Sequence, residues 1–508
     1  MTALVLAAAL AAAAPRDAAY HEALELVYAG QIDGALARLS ELAAGPPADP
    51  LGAALAGLAL AWKIEQRPES DALDEDLHRR LDQAIALADA RLRADPEDLR
   101  SLLARGAAHG VRSRLHLFRV QKRDAARAAV KMREDLLEVQ RREPANGDAL
   151  FGLGLYDYYA DVLPRMAKLL RFLAGMPGGD RARGLARIGE AERTAVLYRS
   201  EATVQLFNID AYYEKEADRA YERIRLLPRR YPTWPLWALM LARHQRDQLG
   251  LYPESAGVAR EILAAGERGE PGYAGVVAAM ARVSLGHSLL LDLRLAEARR
   301  ALLPVKDGVP EASWVGPTAR LLLGRSLELE GDRDAALAHY RRAAESPDRG
   351  VKRRAQQALA SPIPQSEVRG TQLLAEARRL REAGRLADAT DAFRRALAAW
   401  PDCREAALRV AEDEIARGRA AQVRDEVEAL SKLSDPQPPW IRAWARLLLG
   451  RIHDLAGERG EAVKAYQIVF KSPSGLPELR RLAAEGLERP YALPLPPAAS
   501  AGAFMYSR

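Results

Sequence analysis

Residues 371–401, TQLLAEARRLREAGRLADATDAFRRALAAWP, form a complete helix-turn-helix unit, and most of the remaining chain can be laid on the same template. Leu373, Ala377 and Leu380 recur at helical spacing, and Gly384 ends that helix. Ala389, Phe393 and Ala396 face back from a second helix, which Pro401 closes. The small side chains at 377, 389 and 396 stand where two helix axes must approach within about 8 to 10 Å, while Leu380 and Phe393 fill the space beside them.

The pattern of small, aromatic and closing-proline positions from Ala377 to Pro401 resembles the tetratricopeptide repeat. The resemblance implies an all-α, right-handed α-solenoid of helix-turn-helix repeats whose curved inner face holds a partner. Size and composition agree with a helical array. At 508 residues and 49% hydrophobic the chain is too long for one compact core and too apolar to be disordered, and Ala, Leu, Arg and Glu dominate over strand-forming residues. The formal net charge of +6 comes from 75 basic residues against 69 acidic ones, a mixed surface that does not call for nucleic acid.

The apolar run from Leu4 to Ala14, followed by Pro15, Arg16 and Asp17, has signal-peptide length. Residues 1–18 are therefore expected to be a leader and the chain to be exported, periplasmic or associated with the outer envelope of a bacterial-type cell. No Lys or Arg precedes the run, so a helical leader on a cytoplasmic protein is the alternative. No later stretch is long and apolar enough for a transmembrane helix, which leaves peripheral membrane contact open.

Repeats of the same pattern are expected over 19–145. Residues 146–199 depart from it: Pro164 opens an additional helix over 165–173 inside a divergent repeat, and Asp180 is placed to cap a helix over 181–194. The stretch from Phe151 to Tyr213 is similar to a divergent tetratricopeptide family that includes eukaryotic outer-membrane-associated proteins of mitochondria, a likeness that implies helices and no activity. Further repeats run over 200–360, then a Pro-rich linker over 361–367, repeats again over 368–489, and a tail over 490–508 without periodicity, expected to be disordered. The heptapeptide ARLLLGR occurs at 319–325 and again at 445–451, an offset of 126 residues that also pairs Trp314 with Trp440, Gly331 with Gly457, Ala336 with Ala462, Tyr340 with Tyr466 and Pro347 with Pro473. Each copy is followed by one short helix with a polar outer face, as the end of a solenoid requires, so two stacked arrays are expected, joined at the linker.

Catalytic patterns are missing. The eight His show no metal-ligand spacing with an adjacent Glu, and His109 and His116, seven apart, read as helix surface or groove lining. No nucleophile elbow or P-loop occurs, and the single Cys403 excludes an intramolecular disulfide and a Cys-rich metal site. No enzyme activity, cofactor or metal is therefore expected. The arginines and lysines between 99 and 140 are interleaved with Asp124, Glu134, Asp135 and Glu138 and read as a solvated face, with a basic stripe for an anionic partner as the alternative. The candidate partner site is the central insertion, where Arg165, Lys168 and Arg171 form the basic face of an amphipathic helix and Tyr156 and Tyr159 stand on the preceding one. The expected role is a scaffold or adaptor that binds a protein or peptide in its concave groove. An accessory factor for an anionic polymer or membrane surface, and a self-associating repeat protein, are the alternatives.

Overall fold

The computed structural model describes residues 16–66, 70–162, 177–434, 438–471 and 477–493. Within them the chain is an all-α solenoid, and no strand forms among them; Val309 and Ala312 make one isolated bridge. The expected leader lies outside the described residues up to 15, and residues 16–28 form α1. The inserted helix expected over 165–173, with Arg165, Lys168 and Arg171, and the tail beyond 493 also lie outside them. No helix among the described residues is long and apolar enough to cross a membrane.

The chain divides into two compact units, 1–213 with 226–234, and 214–225 with 235–508. In the first unit α1 is followed by α2 (Ile32–Ala44), α3 (Pro50–Glu65), α4 (Asp74–Ala94), α5 (Leu99–Phe118), α6 (Lys122–Arg142), α7 (Gly147–Asp161), α8 (Arg181–Thr194) and α9 (Arg199–Asn208). A π-helical turn, Ile209–Glu214, extends α9, and the short α11 (Leu227–Arg230) returns to this unit after α10 (Ala217–Ile224) of the second. Side chains start these helices where the sequence supplies a carboxylate or amide: Asp49, Asp98, Asn146 and Asp180 each accept a backbone N–H of the first turn.

The second unit continues with α12 (Leu236–His244, extended by a π-helical turn, Gln245–Leu249), α13 (Tyr252–Glu267), α14 (Val276–Leu291), α15 (Leu295–Leu302), α16 (Val315–Glu330), α17 (Arg333–Ala343), α18 (Arg349–Ala360), α19 (Gln365–Glu382), α20 (Leu386–Ala399), α21 (Arg404–Ala416), α22 (Ala420–Ser431), α23 (Ile441–Leu455), α24 (Arg459–Phe470) and α25 (Pro477–Glu488). The helix-turn-helix unit of 371–401 is α19 with α20. Leu373, Ala377, Ala389, Phe393 and Ala396 are buried together, and Gly384 turns between the helices at φ +74°.

First helices of successive pairs pack on one another, as α3 does on α5 and α21 on α23, while second helices such as α4 and α22 wedge behind two of them. The first helices therefore make the inner layer of each unit. Gly250, at φ +68°, brings the end of the α12 turn against α23, where a Cβ would lie 2.8 Å from the Trp440 ring.

The internal duplication is carried by one repeated latch. Gly324 and Gly450 leave room for the rings of Tyr340 and Tyr466; a Cβ on Gly324 would stand 2.5 Å from the Tyr340 ring. Tyr340 donates its hydroxyl to Glu328 at 2.7 Å, and Tyr466 donates to Asp454 at 2.9 Å. Arg333 spans Glu328 and the carbonyl of Ala358, and Arg459 spans Asp454 and the carbonyl of Leu487, so each arginine pins the end of the short helix that follows. The backbone N–H groups of Ile363 and Tyr491 complete the two acids. The segment 361–367, expected to be a linker, lies inside the second unit: Ile363 is buried in one core with Leu302, Val315 and Leu323 before it and Val368 after it. The helix α18 thus closes its hairpin without ending the array.

Candidate binding site in the inner layer

In the first unit the inner layer is occupied by its own side chains. Glu201 on α9 is buried, and it accepts from Tyr28 on α1 at 2.9 Å, Trp62 on α3 at 3.0 Å, Arg114 on α5 at 2.8 Å and Gln205 at 3.0 Å. Arg114 also grips Glu65 through two nitrogens, and its guanidinium lies 4.8 Å from the centre of the Trp62 ring. Burial raises the Tyr28 hydroxyl well above its ordinary value, with the Glu201 charge adding to it.

The basic run between 99 and 140 is largely consumed in the same way. Arg100 binds Asp49 and Asp17, Arg105 binds Asp135 and Asp89, Arg112 binds Asp82 and Arg119 binds Asp74. Apart from Asp135, these carboxylates come from other parts of the chain, which is why spacing within the run did not reveal them.

The two tyrosines singled out in the sequence part company. Tyr156 is buried, donates its hydroxyl to the Pro177 carbonyl at 2.9 Å and lies under Arg133. Tyr159 is half-buried and meets Tyr213 edge to face at 5.4 Å, and the π-helical turn leaves Tyr212 and Tyr213 about half exposed. His109 is buried and held neutral, its pKa lowered to about 4 by burial and then by Arg112, while His116 stands beside His78 at 5.5 Å. Among the described residues no three His, Cys, Asp or Glu gather as a metal site.

Arginines also line the corresponding layer of the second unit. Arg378 on α19 holds Glu405 on α21 through two nitrogens, one at 2.9 Å, and reaches Asp292 at 3.6 Å. Burial pushes the Glu405 carboxyl up, but the charge and hydrogen bonds of Arg378 outweigh it and hold it below the usual range. Asp292, with which Glu405 competes for Arg378, is raised to about 6 by burial against the pull of Arg378. Arg409, on the same face of α21, lies 4.1 Å from the centre of the Trp444 ring and donates to Glu412 at 3.1 Å. Burial and then the charge of Arg381 push the Arg409 guanidinium below its ordinary value. Arg381 is half-buried and its side chain has neither an ion pair nor a hydrogen bond among the described residues. The Trp444 indole N–H is buried without a partner. Cys403 is buried and its thiol is pushed up to about 11 by burial, which keeps it protonated and a poor nucleophile at neutral pH. This arrangement can bind an anionic group between arginines and an aromatic wall. None of it was legible as a site, because Arg378, Arg381 and Arg409 sit in ordinary amphipathic helices.

No family model matches this chain, and no curated protein does. Among solved structures it is similar to a monomeric IFIT1 mutant with Gppp-AAAA, at 16% identity over 88% of this chain and 79% of that one, with a TM-score of 0.26. A second IFIT1 monomeric mutant, with m7Gppp-AAAA, gives the same identity and coverage and a TM-score of 0.27. At such scores the likeness carries no argument about a site, and the helical-repeat architecture rests on this chain's own helices.

Proposed function

We propose that this chain is a non-enzymatic, tetratricopeptide-type scaffold whose second unit holds an acidic protein or peptide segment along its inner layer. The observation that carries this reading is Arg381, whose side chain makes no ion pair or hydrogen bond among the described residues, beside the buried Arg409, which is backed by Trp444. A partner carboxylate would pair directly with Arg381 and relieve the repulsion between the two arginines, and a desolvated Arg–carboxylate pair is among the stronger charge-assisted contacts. The self-occupied inner layer of the first unit supports placing the partner in the second. Export to the envelope is part of the same proposal and rests on the apolar run from Leu4 to Ala14.

The test is fluorescence anisotropy with two labelled peptide pools of equal length, one rich in Asp and Glu and one in Lys and Arg. The full chain is expected to prefer the acidic pool, and Arg381→Glu to weaken that binding by about tenfold or more with its circular dichroism unchanged. Equal binding of both pools, or indifference to Arg381→Glu, would sink the proposal.

A further inference from the structure

A second cationic site lies away from that layer. The loop before α16, the start of α16 and the end of α17 enclose a surface cleft of about 260 Å³. Its shape depends on a close approach of two glycines: a Cβ on Gly316 would stand 2.7 Å from the Gly308 nitrogen, and Gly308 itself turns at φ +86°. That contact brings the 306–307 turn against the flank of α16 that bears Arg320.

Lys306 and Arg320 both bind Asp307, and Arg342 enters from α17, where it donates to Glu345 at 3.3 Å. Asp307 is 69% exposed, so its carboxylate can turn out to water at little cost. Ser346 on the cleft wall is buried; its hydroxyl oxygen accepts from Asp348 N–H at 3.1 Å, and its own hydrogen has no acceptor among the described residues. The neighbouring His339 is kept neutral by burial and then by Arg320 and Lys306, and its Nδ1 is buried without a partner.

Three cations thus converge from three elements; the small, exposed Asp307 carboxylate stands between two of them and Glu345 holds the third. We propose that the cleft binds a soluble phosphate monoester, whose oxygens replace the Asp307 carboxylate between Lys306 and Arg320 and engage Arg342 and the Ser346 hydroxyl. A carboxylate ligand offers two oxygens and one charge. A phosphate monoester offers three terminal oxygens and close to two charges, which matches the number and spread of the donors. The duplicated module serves as an internal contrast, because at the 126-residue offset it keeps Lys432 and Arg446 but has Leu433 and Ile468 where the cleft has Asp307 and Arg342.

Isothermal titration of the full chain with inorganic phosphate and with glycerol phosphate tests the site. Both are expected to bind, Arg320→Gln and Arg342→Ile to weaken binding by about tenfold each, and Asp307→Asn to tighten it by a similar factor, since it removes the internal anion that competes for Lys306 and Arg320. The gain in Asp307→Asn cannot come from misfolding, which protects the test against unstable arginine variants. Unchanged affinity in both arginine variants, or no tightening in Asp307→Asn, overturns the proposal. So does binding to phosphatidic acid vesicles with no response to glycerol phosphate.

Discussion

Glu201 and Asp292 show how differently a buried carboxylate can be treated in this chain. Glu201 meets four side-chain donors, one of them the cationic Arg114, whereas Asp292 has only a distant share of Arg378. Glu201→Ala removes the shared acceptor and one of Arg114's two carboxylates, at a cost of about 3 to 5 kcal/mol. Hydrogen exchange over 199–208 is expected to accelerate in that variant, with Glu201→Gln intermediate between it and the unsubstituted chain. Asp292 carries a pH signature instead. Its pKa is raised from 3.8 to about 6 in the fold, so the folded chain binds this proton more tightly than the unfolded one. Its contribution is fully present below pH 3.8 and is lost as pH rises through about 6, on the order of 3 kcal/mol in all. The difference in denaturation midpoint between Asp292→Asn and the unsubstituted chain should therefore change across that window and be constant above it.

At the scale of elements, the hairpin-closing latch is the feature most open to test. Gly324 and Gly450 face Tyr340 and Tyr466 so closely that any side chain must displace a ring, and the ring carries the hydroxyl that binds Glu328 or Asp454. Gly324→Ala and Gly450→Ala should each cost about 1 to 3 kcal/mol. The loss should appear first as faster hydrogen exchange in the helix that each latch pins, α18 or α25, because Arg333 and Arg459 hold those helices through the same acids. Much of this element was legible in sequence: the heptapeptide offset paired both glycines, both tyrosines and the hairpins around them. The acids were not paired by eye, because Glu328 and Asp454 differ in length and matter only once the ring has folded over them. The candidate site in the second unit was hidden for a related reason. Arg378, Arg381 and Arg409 lie on two helices, and their mutual proximity follows from the packing of both α19 and α21 on α20, which no local spacing encodes.

At the scale of the whole molecule, the 361–367 segment marks where chain composition and packing part. Its prolines suggest a junction, yet Ile363 is buried and its N–H is bound to Glu328. Limited proteolysis of the native protein is expected to leave this segment intact. Ile363→Ala, which costs about 2 to 5 kcal/mol, should open it to cleavage. The sequence by itself determined the helices, their ends and their pairing into hairpins, because helical periodicity, capping side chains and glycine stops act over a few residues. Tertiary structure decided which hairpins share a core, that Glu201 meets α1 and α3 across the first unit, and that the Arg381 side chain is left without a direct ion pair. Those outcomes depend on how small rotations between successive repeats accumulate along a stack, and that accumulation belongs to the packed array.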